Sequence, residues 1–419
     1  MTPREKALIV GVNLNNQSDF SESMEELYHL AIACEFDVIG RAEQNLKTIN
    51  PTYYIGQGKA EELKIQINEN QAETIIFNND LSPSQIRNLE NELDRKIMDR
   101  TSLILEIFAK RARTREAKLQ VEVARLQYTL PKIIGSHESL GRQGGGGAGT
   151  KNRGSGEKKL ELDRRRIETK ISELNRELES LDKERGAQKK QRTKSGFPCV
   201  TLVGYTNAGK STLMNAMVDL FQKSESKKVF EKDMLFATLE TSVRKISLPE
   251  NRTILLSDTV GFVNQLPHDL IKAFRSTLDE VKDADLLLHV IDVSHSNHQQ
   301  HIQITEDTLK LIGAEDIPIL RVYNKSDRTT LPYPFIEGNS VYLSAAGKKG
   351  ITELIQAIHE KLFKDSIECR ILIPYEKGNL VSYVNESSYV KSVSYESNGT
   401  LMVIECKERD YLKLKEYLC

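Results

Sequence analysis

The chain has 419 residues, 39% hydrophobic and 28% charged, which is enough apolar material for roughly two to four packed domains and too much for a disordered polypeptide. Five cysteines (Cys34, Cys199, Cys369, Cys406 and Cys419) are scattered without C-x-x-C pairs or metal-ligand spacing, no secretory h-region opens the chain, and no apolar run approaches ~18 residues. A disulfide-built secreted domain and a helical membrane protein are excluded, and the expectation is a cytoplasmic protein with reduced thiols. The formal net charge of −1 conceals an asymmetry: residues 100–195 carry 24 Lys/Arg against 13 Asp/Glu. Such a basic middle suits a polyanion; a long solvated helix laced with charge is the other reading.

Residues 1–100 read as a small α/β domain, with strand-like runs at Ala7–Val12 and Thr74–Phe77 and helix-like segments at Met24–Ala33 and Pro83–Leu93. Within it, Tyr53-Tyr-Ile-Gly56-Gln-Gly58-Lys59 reads as a glycine turn after a strand, and a lone Gly-x-Gly favours a structural turn over a ligand loop. Residues 101–190 are expected to form a helical hairpin. Residues 101–130 and 157–185 each suit a helix of about 40 Å. Leu119, Val123, Leu126 and Leu130 form one narrow apolar seam, and Leu160, Ile167, Ile171, Leu174, Leu178 and Leu181 form another. Between them runs a glycine-dense stretch from Gly141 to Gly156; Lys110, Arg111, Arg113, Arg115 and Lys118 fall on the first helix, and Lys151, Arg153, Lys158, Lys159 and Arg164 to Arg166 fall at or just past the tip. The hairpin tip would be mobile and basic, or the stretch would be a plain linker. Polar residues after Asp182, running to Gly196, suggest a domain linker. Residues 197–365 read as a βα-rich domain, and residues 367–419, with Arg370–Pro374, Leu401–Ile404 and Arg409–Tyr417, as a small α/β domain with no visible chemistry.

The chemistry concentrates in residues 197–365. Gly204-Tyr205-Thr206-Asn207-Ala208-Gly209-Lys210-Ser211 follows the apolar run Cys199–Val203 and has the spacing of a phosphate-binding loop. Backbone N–H groups curl around a di- or triphosphate there, the helix beginning near Thr212 offers its N-terminus, Lys210 supplies a point charge, and Ser211 is placed to ligate Mg²⁺. Leu255-Leu-Ser-Asp258-Thr259-Val260-Gly261 ends a strand in Asp-x-x-Gly. Its carboxylate can hold Mg²⁺ through water, and the Gly261 N–H can sense a γ-phosphate. Thr238, in Leu235-Phe-Ala-Thr-Leu, suits a switch segment that completes the Mg²⁺ shell, and turn chemistry is its alternative role. The catalytic set is accordingly Lys210, Thr238 and Gly261, and the metal set Ser211, Thr238 and Asp258.

Asn324-Lys325-Ser-Asp327, directly after the strand-like Ile317–Tyr323, matches the guanine-recognition box of GTPases. The Asp327 carboxylate accepts from guanine N1–H and the exocyclic amine, a donor pair that adenine lacks. Ser344-Ala345-Ala346 fits the last box, in which a backbone N–H meets guanine O6. Four boxes in order, each at a strand end, argue for GTP against ATP. The position after Asp-x-x-Gly, where many GTPases carry a glutamine that orients the attacking water, is Phe262, so hydrolysis to GDP and phosphate is expected to be slow until a partner completes the site. Asn207, three residues before Lys210, resembles the pattern of GTPases that take K⁺ as a charge-stabilising element; bracing the loop is its alternative role.

The segment Asp258-Thr-Val-Gly-Phe262-Val-Asn-Gln-Leu-Pro-His268-Asp-Leu-Ile-Lys-Ala-Phe274-Arg-Ser-Thr-Leu278 resembles the HflX family of GTPases, in the Obg-HflX-like superfamily. Leu235-Phe-Ala-Thr-Leu239, Tyr54–Lys59, Asp99-Arg-Thr101, Glu122–Tyr128 and Leu160–Arg165 resemble family segments as well, so the likeness covers nearly the whole chain. It implies a P-loop GTPase domain preceded by a small α/β domain and a long-helix hairpin and followed by a small α/β domain. It further implies a factor that binds the large ribosomal subunit, reaches ribosomal RNA near the peptidyl-transferase region, and splits or rescues stalled or idle ribosomes under stress. Two segments depart from the family pattern: Leu239-Glu-Thr-Ser242 where Leu-Asp-Pro-Thr is usual, and Gly154-Ser-Gly-Glu-Lys-Lys-Leu-Glu161 where Gly-Pro-Gly-Glu-Thr-Gln-Leu-Glu is usual. The altered tip opens a second reading, a paralogue that protects ribosomes from antibiotics. A third is an assembly or signalling GTPase of the Era or Obg sort, whose N-terminal part binds a protein. Nothing in the sequence demands more than a monomer.

Overall fold

The computed structural model describes residues 4–17, 19–142, 153–194, 197–221, 236, 242–249, 252–264, 280–363, 367–406 and 408–419. Contacts divide the chain into two compact units: residues 1–182 with 234–239 and 264–275 form the first, and residues 183–233, 240–263 and 276–419 the second.

The first unit is built on a four-stranded parallel sheet, ordered β2-β1-β3-β4, from β1 (Lys6–Leu14), β2 (Asp37–Leu46), β3 (Thr74–Phe77) and β4 (Lys96–Met98). The runs Ala7–Val10 and Ile75–Phe77 are buried along their whole length, as strands covered on both faces must be. The crossovers are α1 (Phe20–Ala33), α2 (Gln57–Asn70) and α3 (Pro83–Leu93). Ser82 starts α3 with a capping box: Gln85 N–H donates to its Oγ at 3.3 Å, and its own N–H donates to Gln85 Oε1 at 2.9 Å. Residues 51–56 form a turn that leads into α2, and Gly56 N–H donates to Gln44 Oε1 at 2.9 Å.

The long-helix region differs from its sequence reading at both ends. Residues 101–130 are not one helix but two, α4 (Arg100–Arg111) and α5 (Arg115–Arg142). Ala112 takes an extended ψ of 111° at the end of α4, and Thr114 restarts the chain, its Oγ1 accepting from Ala117 N–H at 3.2 Å. Buried Asp99 ties the pieces together: Oδ1 caps α4 at Ser102 N–H (2.9 Å), while Oδ2 accepts from the Tyr128 hydroxyl and from Lys132 Nζ (3.3 Å) on α5. The following helix, α6, spans Arg153–Lys194, so the polar run after Asp182 is helical, and the boundary between the two units falls within it, between Asp182 and Lys183.

The second unit carries a seven-stranded sheet in the order β10-β11-β9-β8-β5-β7-β6. Its strands are β5 (Cys199–Val203), β6 (Ser242–Ser247), β7 (Thr253–Asp258), β8 (Leu286–Asp292), β9 (Ile319–Asn324), β10 (Phe335–Glu337) and β11 (Ser340–Tyr342). Among the described strands of this sheet, only β6 and β10 run antiparallel to the rest. Helices α7 (Lys210–Phe221), α8 (His298–Leu311) and α9 (Ile351–Phe363) complete this layer. Val200, Leu202, Leu286, Leu288 and Val322 pack with Met214, Met217 and Leu354 in one core, where each large side chain contributes about 1.5–3 kcal/mol. β5 is flanked by β7 on one side and β8 on the other. The chain order of the sheet reverses at that strand, and ligands bind outside the carboxyl end of such a strand.

A three-stranded antiparallel sheet, β12-β14-β13, follows in the same unit: β12 (Ile367–Ile373), β13 (Tyr389–Glu396) and β14 (Gly399–Cys406), with α10 (Gly378–Ser387) and α11 (Glu408–Leu414). Buried Arg252, in the turn between β6 and β7, ion-pairs with Glu405 of β14 and lies 4.3 Å over the Phe363 ring and 5.1 Å over that of Tyr389. Among the described residues no helix is long and apolar enough to cross a membrane.

Candidate functional site

The loop from Gly204 to Ser211 leaves the carboxyl end of β5 and enters α7 at Lys210. Two of its glycines are required by the backbone. Gly204 has φ +145° and a Cβ there would meet the Val290 carbonyl oxygen at 2.2 Å; Gly209 has φ +93° and a Cβ would meet Asn324 Nδ2 at 2.3 Å. Asn207 adopts the left-handed region at φ 62° and is exposed. Lys210 is 6% exposed, and its Nζ donates to the carbonyls of Gly204 (2.9 Å) and Tyr205 (2.8 Å). Burial pushes its ammonium down to about 8, with the Asp258 carboxylate opposing the shift. Ser211 Oγ donates to Asp258 Oδ2 at 2.7 Å, so two oxygen donors of the kind Mg²⁺ takes stand side by side at the helix N-terminus. Thr212 follows them in the first turn of α7, and Thr206 and Ala208 are buried in the loop.

Asp258 ends β7 fully buried. Thr259 Oγ1 donates to the Leu202 carbonyl at 2.7 Å, which fixes the start of the loop to β5, and Val260 is buried beside it. Gly261 lies over the phosphate loop, where a Cβ would meet Thr206 Cα at 2.8 Å and Lys210 Nζ at 2.9 Å. Phe262 is 2% exposed, and its backbone is paired with that loop: Thr206 N–H donates to the Phe262 carbonyl at 2.7 Å, and Phe262 N–H donates to the Gly204 carbonyl at 3.1 Å. Thr238 lies outside the described residues, as do residues 265–279 and the glycine-dense 143–152. Phe236, which belongs to the first unit by its contacts, is buried at φ 54° with its ring 4.7 Å from that of Phe108, and its carbonyl accepts from Arg111. In the same unit the Asn264 carbonyl accepts from Arg100 Nη2 at 3.4 Å.

Asn324 joins what the sequence holds apart. Its Nδ2 donates to the Ala208 carbonyl at 2.8 Å and its Oδ1 accepts from Ala345 N–H at 2.9 Å, so one buried side chain spans the phosphate loop and the Ser344–Ala346 loop. Lys325 stands at φ 62° and its Nζ donates to Asp292 Oδ2 at 2.7 Å. Burial works against the Asp292 carboxylate, but hydrogen bonds from Lys325 and Ser294 hold it below its ordinary value. Asp327 is exposed in the short turn Ser326–Arg328. Ser326 N–H donates to the Leu343 carbonyl at 3.2 Å, drawing that turn onto the strand before Ser344. Ser344 is buried and accepts from Gly347 N–H at 3.2 Å, Ala345 is buried, and Ala346 is exposed.

Two residues escaped the sequence reading. Asp292 could have been found, because it is the carboxylate that closes the apolar strand β8. His301, whose ring stacks on Tyr205, has no local signal.

Models of three families match successive stretches of the chain: GTP-binding GTPase N-terminal over residues 21–109, GTP-binding GTPase Middle Region over 111–192, and 50S ribosome-binding GTPase over 199–325. The GTPase HflX of Caldanaerobacter subterraneus is 43% identical over 412 residues, spanning 98% of this chain and 93% of that protein. The GTPase HflX of Escherichia coli K12 is 36% identical, spanning 95% of this chain and 92% of that protein. Among solved structures, a GTP-binding protein from the archaeon Sulfolobus solfataricus in complex with GDP is 26% identical, covers 86% of this chain and 98% of its own, and has a TM-score of 0.45. Sequence identity at this level, sustained over nearly the full length of both chains, shows that this chain belongs to the HflX family of GTPases, which hydrolyse GTP.

Proposed function

We propose that this GTPase is a cytoplasmic, monomeric factor that binds the large ribosomal subunit in its GTP form and splits or rescues stalled or idle ribosomes under stress. The observation that carries the nucleotide half is Asn324, which locks the phosphate loop to the base-recognition loop. In this reading the phosphates lie on the N–H groups of residues 207–212, Lys210 meets the β- and γ-phosphates, and Gly261 N–H contacts the γ-phosphate. Asp327 accepts from guanine N1–H and the amine, and the N–H of Ala346 faces O6. Ser211, Thr238 and, through water, Asp258 would hold Mg²⁺, which when bound neutralises charge on the β- and γ-oxygens. Asn207 would present its carboxamide oxygen to K⁺. The Phe262 ring is turned into the core and cannot orient water, so hydrolysis waits for a group supplied by the partner.

The ribosome half rests on the basic hairpin. Arg164, Arg165 and Arg166 are engaged with Glu161, Asp163 and Glu168 within one or two turns of α6, and Arg115 with Glu177. Exposed pairs of this kind are worth ~0–1 kcal/mol, so their cations can be given up to RNA phosphates at little expense. We take the chain to work in four segments, 1–100, 101–190, 197–365 and 367–419. GTP binding orders residues 235–242 and 258–268 and drives the N-terminal segments against ribosomal RNA near the peptidyl-transferase region. Sedimentation on a sucrose gradient with a non-hydrolysable GTP analogue tests this; failure to travel with the large subunit refutes it. The four-glycine run from Gly144 to Gly147 ahead of the altered tip favours a second reading, drug protection, for which unchanged lincosamide and macrolide sensitivity in a deletion strain is the negative result.

A further inference from the structure

The Tyr205 ring leaves the phosphate loop sideways and lies flat against His301 of α8, with centroids 3.8 Å apart and planes 6° from parallel. Tyr205 is a junction. Its carbonyl accepts from Lys210 Nζ, its backbone pairs with Phe262, and the residue before it is pressed under the Val290 carbonyl. Tyr205 is 8% exposed, so its ring has few other positions to take.

His301 is itself held. Its ring centroid is 4.6 Å from that of His295, and its carbonyl accepts from the buried Thr305 hydroxyl at 2.8 Å, one turn along α8. Burial and the neighbouring His295 push the His301 imidazole down to about 4, which leaves a neutral ring at physiological pH. A neutral imidazole stacks flat on a phenol without drawing a hydration shell into the contact.

We propose that His301 is a positioning residue for the GTPase reaction: by stacking on Tyr205 it holds the Tyr205 carbonyl where it aims Lys210 into the phosphate site. A loop already set in its bound shape loses less entropy when nucleotide arrives. The effect therefore falls on nucleotide affinity and leaves turnover of bound GTP largely alone, because bound phosphates fix Lys210 by themselves.

The test is a variant set in the full-length chain: H301Q, H301F, H298A, Y205L and Y205L/H301Q, read by GDP dissociation and by steady-state hydrolysis. H301Q removes the stack, and its GDP dissociation constant and KM for GTP should rise ~3- to 10-fold, the range an aromatic pair is worth. Its kcat should stay within about twofold. H301F keeps a flat ring and restores wild-type affinity, and H298A, on the same helix but without a place on Tyr205, leaves affinity unchanged. Y205L reports the same loss from the other side and stands alone if H301Q does not fold; where H301Q folds, the double variant is no weaker than Y205L alone. The proposal is overturned if H301Q binds as wild type does, if H301F is as weak as H301Q, or if the two losses add.

Discussion

Asn324→Ala isolates the contact that joins the two halves of the nucleotide site. The variant removes a donor to the Ala208 carbonyl and an acceptor for the Ala345 N–H, bonds of 2.8 and 2.9 Å between groups that are almost wholly buried. A buried backbone group left without its partner costs about 1–3 kcal/mol. In the free protein part of that loss is recovered, because water entering the open site reaches both groups. With GDP bound the site is closed, so a difference of ~1–2 kcal/mol between the two states should remain, equivalent to ~5- to 30-fold weaker binding. Titration of a fluorescent GDP analogue, with thermal melting of the free and GDP-bound chain, reads both quantities. The variant should melt lower when free and gain less from GDP than the wild type does. Binding within about twofold of wild type would show that the phosphate and base loops are held independently, and the role given to Asn324 would be wrong.

Asp327→Asn replaces a double acceptor with a group that also donates, so guanine nucleotides should bind at least ~10²-fold more weakly while xanthine nucleotides, with a carbonyl in place of the amine, gain; competition titration with GDP and XDP reads both, and unchanged preference for GDP refutes the assignment. Lys210 titrates from a depressed value of about 8 in the free chain, and phosphate restores its charge, so GDP binding should take up a proton as pH rises past 8 and none near pH 7. Calorimetry in two buffers of different ionisation enthalpy measures that uptake, and zero uptake at pH 8.5 contradicts the buried-lysine geometry. If Asn207 holds K⁺, hydrolysis is faster in K⁺ than in Na⁺ buffer and Asn207→Ala abolishes the difference; equal rates sink the idea. Phe262→Gln should not raise the intrinsic rate, because the side chain at that position faces the core, and an unpartnered amide there destabilises by about 1–3 kcal/mol; a tenfold faster variant would mean the residue can turn outward.

The phosphate loop and the guanine box were legible because each compresses its chemistry into a few adjacent residues: Gly204 to Ser211 needs only its own backbone and Lys210, and Asn324 to Asp327 only its own side chains. What joins them was not. Asn324 and Ala208 are 116 residues apart, and no local pattern says that a side-chain amide will close on that carbonyl. Nor did the helical periodicity reveal the break at Ala112, since Leu119, Val123 and Leu126 continue a seam whether or not the helix restarts at Thr114. In α6 the helix was not legible: Gly186 and the charges after Asp182 suggested a linker, and the unit boundary does fall there, yet Lys, Arg, Gln and Glu are strong helix formers and outweigh the ~1 kcal/mol that one glycine costs, so the segment is helical. Strand β13 was passed over because Lys391, Ser392 and Ser394 dilute its apolar residues, as an exposed edge strand allows.

The placement of Phe262 separates affinity from turnover. Its backbone carbonyl and N–H are both spent on the phosphate loop, which sets Gly261 above Lys210. Gly204 under Val290, Gly209 against Asn324 and Tyr205 on His301 restrain the same loop from three further directions. The described part of the phosphate loop is thus fixed by residues of this chain. Among the described residues, the position after Asp-x-x-Gly that could supply a group to orient the attacking water is occupied by an inward-facing ring. A GTPase site that lacks such a group persists in its GTP form until it is completed, and completion in trans is worth on the order of 10³–10⁵-fold in GTPases. Under the proposed ribosomal role, that division has a physical consequence: the lifetime of the GTP form is set by the encounter with the partner and not by the chain alone.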